Sequence, residues 1–202
     1  MVEFHPPDDS YKKRVEKYWQ NILRIPKDTN PSNATDGSRQ DVSSDPVYLA
    51  HSCTEIPVTR DVGTISHGKS IFVPVNPVVV TEVESKDDPS EEKLHKLAKD
   101  DEDSATEATL TIDNEEYKLK YLQQYRVHHG LFEVEIPPNA VAGLEPPGSC
   151  KAVADGYYVM IKPLSDGQHT IRLKAQVDKP FEKDTPWIQD VTYKFVVGQP
   201  ET

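Results

Sequence analysis

The period of the apolar positions changes along the chain, and each change marks an element. After Ser10, which stands where a helix N-cap is expected, Val15, Tyr18, Trp19, Ile22 and Leu23 recur at the spacing of one helical face. That spacing predicts a short amphipathic helix over residues 11–24. Trp19, on its apolar stripe, is expected to pack the helix onto the main body. Pro26 follows, and then KDTNPSNATDGSRQDVSSDP, with the composition of a long loop.

From residue 46 the period shortens to two. PVYLAHS, EIPVTRDV and SIFVPVNPVVVTEVE are rich in β-branched and aromatic residues and punctuated by Pro or Gly, as strands are. Asp88 and Pro89 then open a second helix as N-cap and first-turn residue, with Leu94, Leu97 and Ala98 on one side. It runs into KDDEDSATE, which is expected to be a solvated excursion. The second half returns to strands: ATLTIDNEEYKL around a hairpin at Asp113-Asn114, LFEVEIPP, KAVADGYYVMIKPL, GQHTIRLKAQV and VTYKFVV. The clearest alternation is in GQHTIRLKAQV, where His169, Ile171, Leu173, Ala175 and Val177 share a face. Strands in hairpin-like succession argue for a mainly β fold, an antiparallel β-sandwich of immunoglobulin-like or jelly-roll-like kind with an N-terminal helix and a helical acidic insertion. The expected organisation is residues 1–45 as helix and loop packed on a sandwich over 46–202, with the insertion at about 85–107.

Charge narrows the partners. The chain has 34 acidic against 23 basic residues, a net of −11, and a basic cluster for phosphate is missing, so nucleic acid and an anionic membrane surface are not expected partners. Residues 82–107 hold eleven acids and four lysines, a net of −7, leaving −4 for the rest. The acidity therefore belongs mainly to the insertion. The N-terminal residues lack a signal-peptide pattern and no window holds a long unbroken apolar run, so a cytoplasmic protein is expected. Cys53 and Cys150 match no metal or redox spacing and are expected as two free thiols.

ADGYYVMIKPLSDGQHTIRLKAQ followed by DVTYKFVV resembles the closing strands of many immunoglobulin-like and related bacterial β-sandwich domains. YWQNILRIPKDTNP, DPVYLAHS, ISHGKSIFVPVNP and YRVHHGLF extend the likeness to a family of uncharacterised microbial proteins with a Trp-bearing N-terminal helix and an NP loop. The resemblance implies a fold and no activity. It implies no disulfide either, because the cysteines that the family often carries are missing from the matching places.

Candidate chemistry is sparse. Gly63 to Ser70 spells G-x-x-x-x-G-K-S, but Pro74 and Pro77 follow where a phosphate-binding loop needs a helix, so a turn into a strand is expected and nucleotide binding is not. His128 and His129 are adjacent and must face opposite sides of an extended segment, so at most one could serve as a base. Glu133 and Glu135 lie on one strand face about 7 Å apart, a carboxylate pair that a solvated outer face also produces. No residues are assigned to metal and no cofactor is implied. Tyr157 and Tyr158 must face opposite sides of their strand, one in the core and the other exposed, while Trp187 follows Pro186 in a loop where sandwiches present recognition residues. These features favour a non-catalytic module binding a small ligand, carbohydrate or protein through Tyr157 or Tyr158 and Trp187. The competing reading is a hydrolase with His128 or His129 as base and Glu133 as its carboxylate.

Overall fold

The computed structural model describes residues 2–53, 56–180 and 185–199. The chain is mainly β, with two sheets and three α-helices among these residues. Helix α1 spans Asp9–Leu23. Its N-cap is Asp8 rather than Ser10: the Asp8 carboxylate accepts the backbone N–H of Ser10 at 2.8 Å, two residues before the expected start. Tyr11, Val15, Tyr18, Trp19, Ile22 and Leu23 are all buried, as the apolar stripe requires. The loop that follows is fixed by polar contacts, because Asn30 donates to the carbonyls of Ile22 and Ile25 while its own oxygen accepts Ser32 N–H.

A four-stranded sheet has the order β1-β3-β7-β6, from β1 (Val47–Tyr48), β3 (Ile71–Thr81), β7 (Gly148–Ile161) and β6 (His129–Ile136). A five-stranded sheet has the order β2-β9-β8-β4-β5, from β2 (Val58–Ser66), β9 (Trp187–Gly198), β8 (Gly167–Val177), β4 (Ala105–Ile112) and β5 (Glu115–Lys118). Two pairs, β1–β3 and β2–β9, are parallel, so the all-antiparallel expectation is corrected. Neither of these pairs is joined by a short turn, so chain connection does not impose the antiparallel direction that a hairpin does. One hydrophobic cluster contains α1 residues together with Phe72, Val134 and Tyr158 of the first sheet and Leu173, Val191 and Tyr193 of the second. Gln189, fully buried on β9, ties the sheets by polar contacts: it donates to Val75 O at 2.7 Å and accepts Ser52 N–H at 3.0 Å. The Gly63–Ser70 motif is the end of β2, a turn at Gly68 with φ +81° and the approach to β3; no helix follows, as the prolines require. None of the helices among the described residues is long and apolar enough to cross a membrane.

Strands β3 and β7 are buried along most of their length on both faces, which removes the alternation from their sequences. One face meets the main core. Helix α2 (Glu91–Asp103) packs on the other, with Leu94 and Ala98 against Val78, Val80 and Val153. Its N-cap is Ser90, whose hydroxyl accepts Lys93 N–H, while the Asp88 carboxylate accepts Ser90 N–H in the preceding turn. The helix also continues through the acidic run, where Asp101 and Glu102 are 5% and 1% exposed. The solvated excursion is thus corrected. A helical period places Leu94, Ala98, Asp101 and Glu102 on the docked side, while Lys96 pairs with Asp100 and Lys99 with Asp103 toward solvent.

The acidic end docks on built partners. Asn76 donates its amide to both Glu102 oxygens, at 2.9 and 3.1 Å. Arg126 holds Asp155 through two bonds of 2.8 Å and reaches Asp103 at 2.6 Å. Asn76 sits at a bulge in β3 opposite Tyr157, and the neighbouring Gly156, paired with Pro77, has a φ of +148° and a 2.4 Å approach of a would-be Cβ to the Asn76 carbonyl that demand glycine. Burial holds the Glu102 carboxyl well above the usual range, with Asp155 adding to the shift and Asn76 opposing it. The native state therefore binds this proton more tightly than the unfolded chain, so the contribution of Glu102 to stability falls as pH rises above its unfolded value of 4.5. Glu102→Gln keeps the shape and removes the ionisation. It is expected to match the wild type below about pH 4 and to be the more stable protein at neutral pH, measured by urea unfolding at both values. Equal stabilities at neutral pH would contradict a buried carboxylate penalty.

Candidate functional site

An apolar concavity lies beside α1, and Trp19, Leu23, Val78, Val79, Leu144 and Trp187 contribute to its walls. Its volume is about 370 Å³, within the range of a small-molecule site. Trp19 is buried at 3% and anchored by its indole N–H to Tyr158 Oη at 2.8 Å, and Trp187 stands half-buried at the start of β9. Both tryptophans of the chain thus line one cavity. Five other lining groups are polar or ionisable: His51, Cys53, Glu84, Asp101 and Thr185.

His51 and Cys53 follow β1 in a segment without regular secondary structure, and their side chains meet. Cys53 Sγ lies 3.1 Å from His51 Nε2, and Tyr18 Oη lies 2.5 Å from His51 Nδ1. Tyr18 Oη also accepts the backbone N–H of His51 at 3.2 Å, and the Trp19 ring lies 5.3 Å from the imidazole. Burial pushes the imidazole pKa down to about 3, and the nearby Arg60 charge adds to the shift. Cys53 is exposed as a residue, yet its thiol points inward at the imidazole, and burial pushes it up to about 11, partly offset by Arg60. Histidine and thiol therefore rest as a neutral pair at physiological pH.

Arg60 is the support beneath this pair. It is 1% exposed and donates to the carbonyls of Ser32, Ala34, Ala50 and His51 and to Tyr193 Oη. The long loop after α1 is held by one guanidinium, whose planar fork spreads its donors over several acceptors.

The residues singled out by sequence lie elsewhere, except one. His128 is exposed with Nδ1 2.8 Å from Asp155 Oδ2, and His129 points the other way, with Nε2 3.6 Å from Glu16. Glu133 is exposed on β6, so its pairing with Glu135 is a solvated strand face. His169 is on the other sheet, 3.0 Å from Asp113 and bonded to the Ser165 carbonyl at 2.8 Å. His128, Glu133 and His169 do not converge on one cavity. Tyr157 and Tyr158 are both buried, at 5% and 0%, which corrects the expectation that one is exposed: α2 and Arg126 cover the face that a bare sheet would have left open. Trp187 alone lines the cavity directly, and Tyr158 reaches it through Trp19.

Sequence reasoning missed His51 and Cys53. The H-x-C spacing was the available signal, but only the fold shows that Tyr18 and a cavity meet it. Among the described residues no group of three or more His, Cys, Asp and Glu side chains is arranged to hold a metal ion. Cys53 and Cys150 are both free thiols. Comparisons with protein-family models, curated proteins and solved structures give no match to this chain.

Proposed function

We propose that the chain is a non-catalytic binding module that takes a small, largely apolar ligand in the cavity lined by Trp19 and Trp187. The carrying observation is the cavity itself, an apolar concavity of about 370 Å³ with two indoles in its wall. The scaffold in this reading is a β-sandwich, immunoglobulin-like or jelly-roll-like; the shared core of the two sheets supports it. A carbohydrate platform is less well supported, because Tyr157 and Tyr158 are buried rather than presented. The hydrolase reading around His128, His129 and Glu133 has less support still, since none of the three lines this cavity.

The chain has only two tryptophans, so its intrinsic fluorescence reports on this cavity. Titration with flat apolar compounds is expected to shift or quench the emission in a saturable way. Trp187→Ala is expected to weaken that binding at least about tenfold, the scale of losing one well-packed aromatic wall, with little change in melting temperature. Unchanged affinity in Trp187→Ala, or no saturable response to any apolar compound, would remove the proposal.

A further inference from the structure

Cys53 and His51 form more than a polar spot in an apolar wall. The thiol is a soft nucleophile 3.1 Å from a nitrogen that can take its proton, and the other ring nitrogen is 2.5 Å from a buried tyrosine hydroxyl. Both reacting groups line the cavity. Nucleophile, base and orienting group in sequence are the arrangement of an activated nucleophile. Resting on the cavity reading above, we propose that Cys53 captures a neutral, flat α,β-unsaturated carbonyl compound by conjugate addition, with His51 as the proton carrier and Tyr18 as a positioning residue.

The cavity chemistry selects that class. Glu84 and Asp101 are the carboxylates in the lining and no Lys or Arg is among the described lining residues, so an anionic ligand is disfavoured. A localised oxyanion, as in acyl transfer, is disfavoured by the same two groups. A conjugated carbonyl is neutral, planar and polarisable, which suits indole walls. The step balances without a co-reactant. In the tautomer with hydrogen on Nδ1, His51 donates to Tyr18 Oη and offers the Nε2 lone pair to the thiol. Sulfur forms a bond to the β-carbon, the alkene pair shifts to the α-carbon, and the thiol proton passes to Nε2. His51 then returns that proton to the α-carbon, leaving a thioether and a saturated carbonyl. An imidazole that resists protonation takes the proton only in passing and gives it back readily, so the histidine ends neutral.

Cys150 is an internal control: a free thiol, also pushed up to about 11, with no histidine bonded to it among the described residues. Folded protein is incubated with chalcone, and adducts are located by intact mass and peptide mapping. Cys53 is expected to gain one chalcone at least about tenfold faster than Cys150, from proximity in the cavity, and the difference is expected to vanish in urea. Dihydrochalcone, which lacks the alkene, is expected to shift the tryptophan emission without adding mass. His51→Gln and Tyr18→Phe are expected to slow adduct formation at Cys53 while the rate at Cys150 stays unchanged. If dihydrochalcone binds and Cys53 reacts no faster than Cys150, the covalent proposal falls and the binding module stands. If dihydrochalcone does not bind and Cys53 shows no advantage, both fall.

Discussion

Arg60→Ala is expected to lower folding stability by about 3–5 kcal/mol, measured as a fall in the urea midpoint at unchanged slope. Five acceptors surround the buried guanidinium, but they do not suffer equally when it is removed. Ser32 O keeps the Cys53 N–H at 2.9 Å, and Ala50 O keeps the Tyr193 hydroxyl. The carbonyls of Ala34 and His51 are left without a side-chain donor among the described residues, and each buried orphan costs about 1–3 kcal/mol. The apolar stem of the arginine is lost as well. Relief of a buried charge works in the opposite direction, because no carboxylate among the described residues forms an ion pair with Arg60, and it keeps the net loss below the sum of the broken bonds. Arg60→Met separates these effects by keeping much of the volume while removing the donors. It is expected to remain nearly as unstable as Arg60→Ala. Arg60→Lys is expected to recover part of the loss, since an ammonium has three donors instead of a planar fork of five. A midpoint in Arg60→Met close to the wild type would show that packing, not hydrogen bonding, holds the 30–53 segment.

Acid is expected to unfold the protein through His51. Its imidazole has a pKa of about 3 in the native state against 6.5 for the free group. Between those values the unfolded chain binds a proton that the native state refuses, so stability is present above 6.5 and is lost as pH falls toward 3. At about 1.4 kcal/mol per pH unit, the full loss is on the order of 4–5 kcal/mol. Glu102 acts with the opposite sign above 4.5, where its ionisation is what the native state resists. In the wild type the two groups therefore oppose each other, and relative to it His51→Gln is expected to lose less stability on acidification from neutrality while Glu102→Gln is expected to lose more. Urea midpoints between about pH 7 and pH 4 supply the comparison. The same acid slope in His51→Gln as in the wild type would assign acid lability to other groups.

Legibility in the sequence followed burial geometry. Strands with one face buried could be read directly: β8 and β9 alternate inward and outward as their sequences do, and Phe132, Val134 and Ile136 lie inward on β6. Strands β3 and β7 gave only composition, because α2 covers the face that solvent would otherwise mark with polar residues. The acidic end of α2 misled for a related reason. Local polarity says solvent, and only Asn76, on a strand 26 residues away, makes burial of Glu102 tolerable.

The candidate site divides in the same way. Composition singled out Trp187 because it stands beside Pro186 near a strand start, and it lines the cavity. His128, His129 and Glu133 were chosen for residue type alone, and type does not say which way a side chain faces. His51 lies near the end of PVYLAHS, whose pattern predicts a strand, Cys53 lies just beyond it, and their importance comes from Tyr18 on α1, 33 residues away from His51.

The mainly β class, the N-terminal amphipathic helix, the approximate position of the strands and the concentration of acid in one insertion were legible in the chain alone. These are properties of periodicity and local propensity, which adjacent residues fix. Which strands run parallel, that the acidic helix docks, and that Trp19, Trp187, His51 and Cys53 share a cavity emerge only in the folded chain. Those outcomes depend on long-range pairing and desolvation, where residues far apart in the chain set one another's environment.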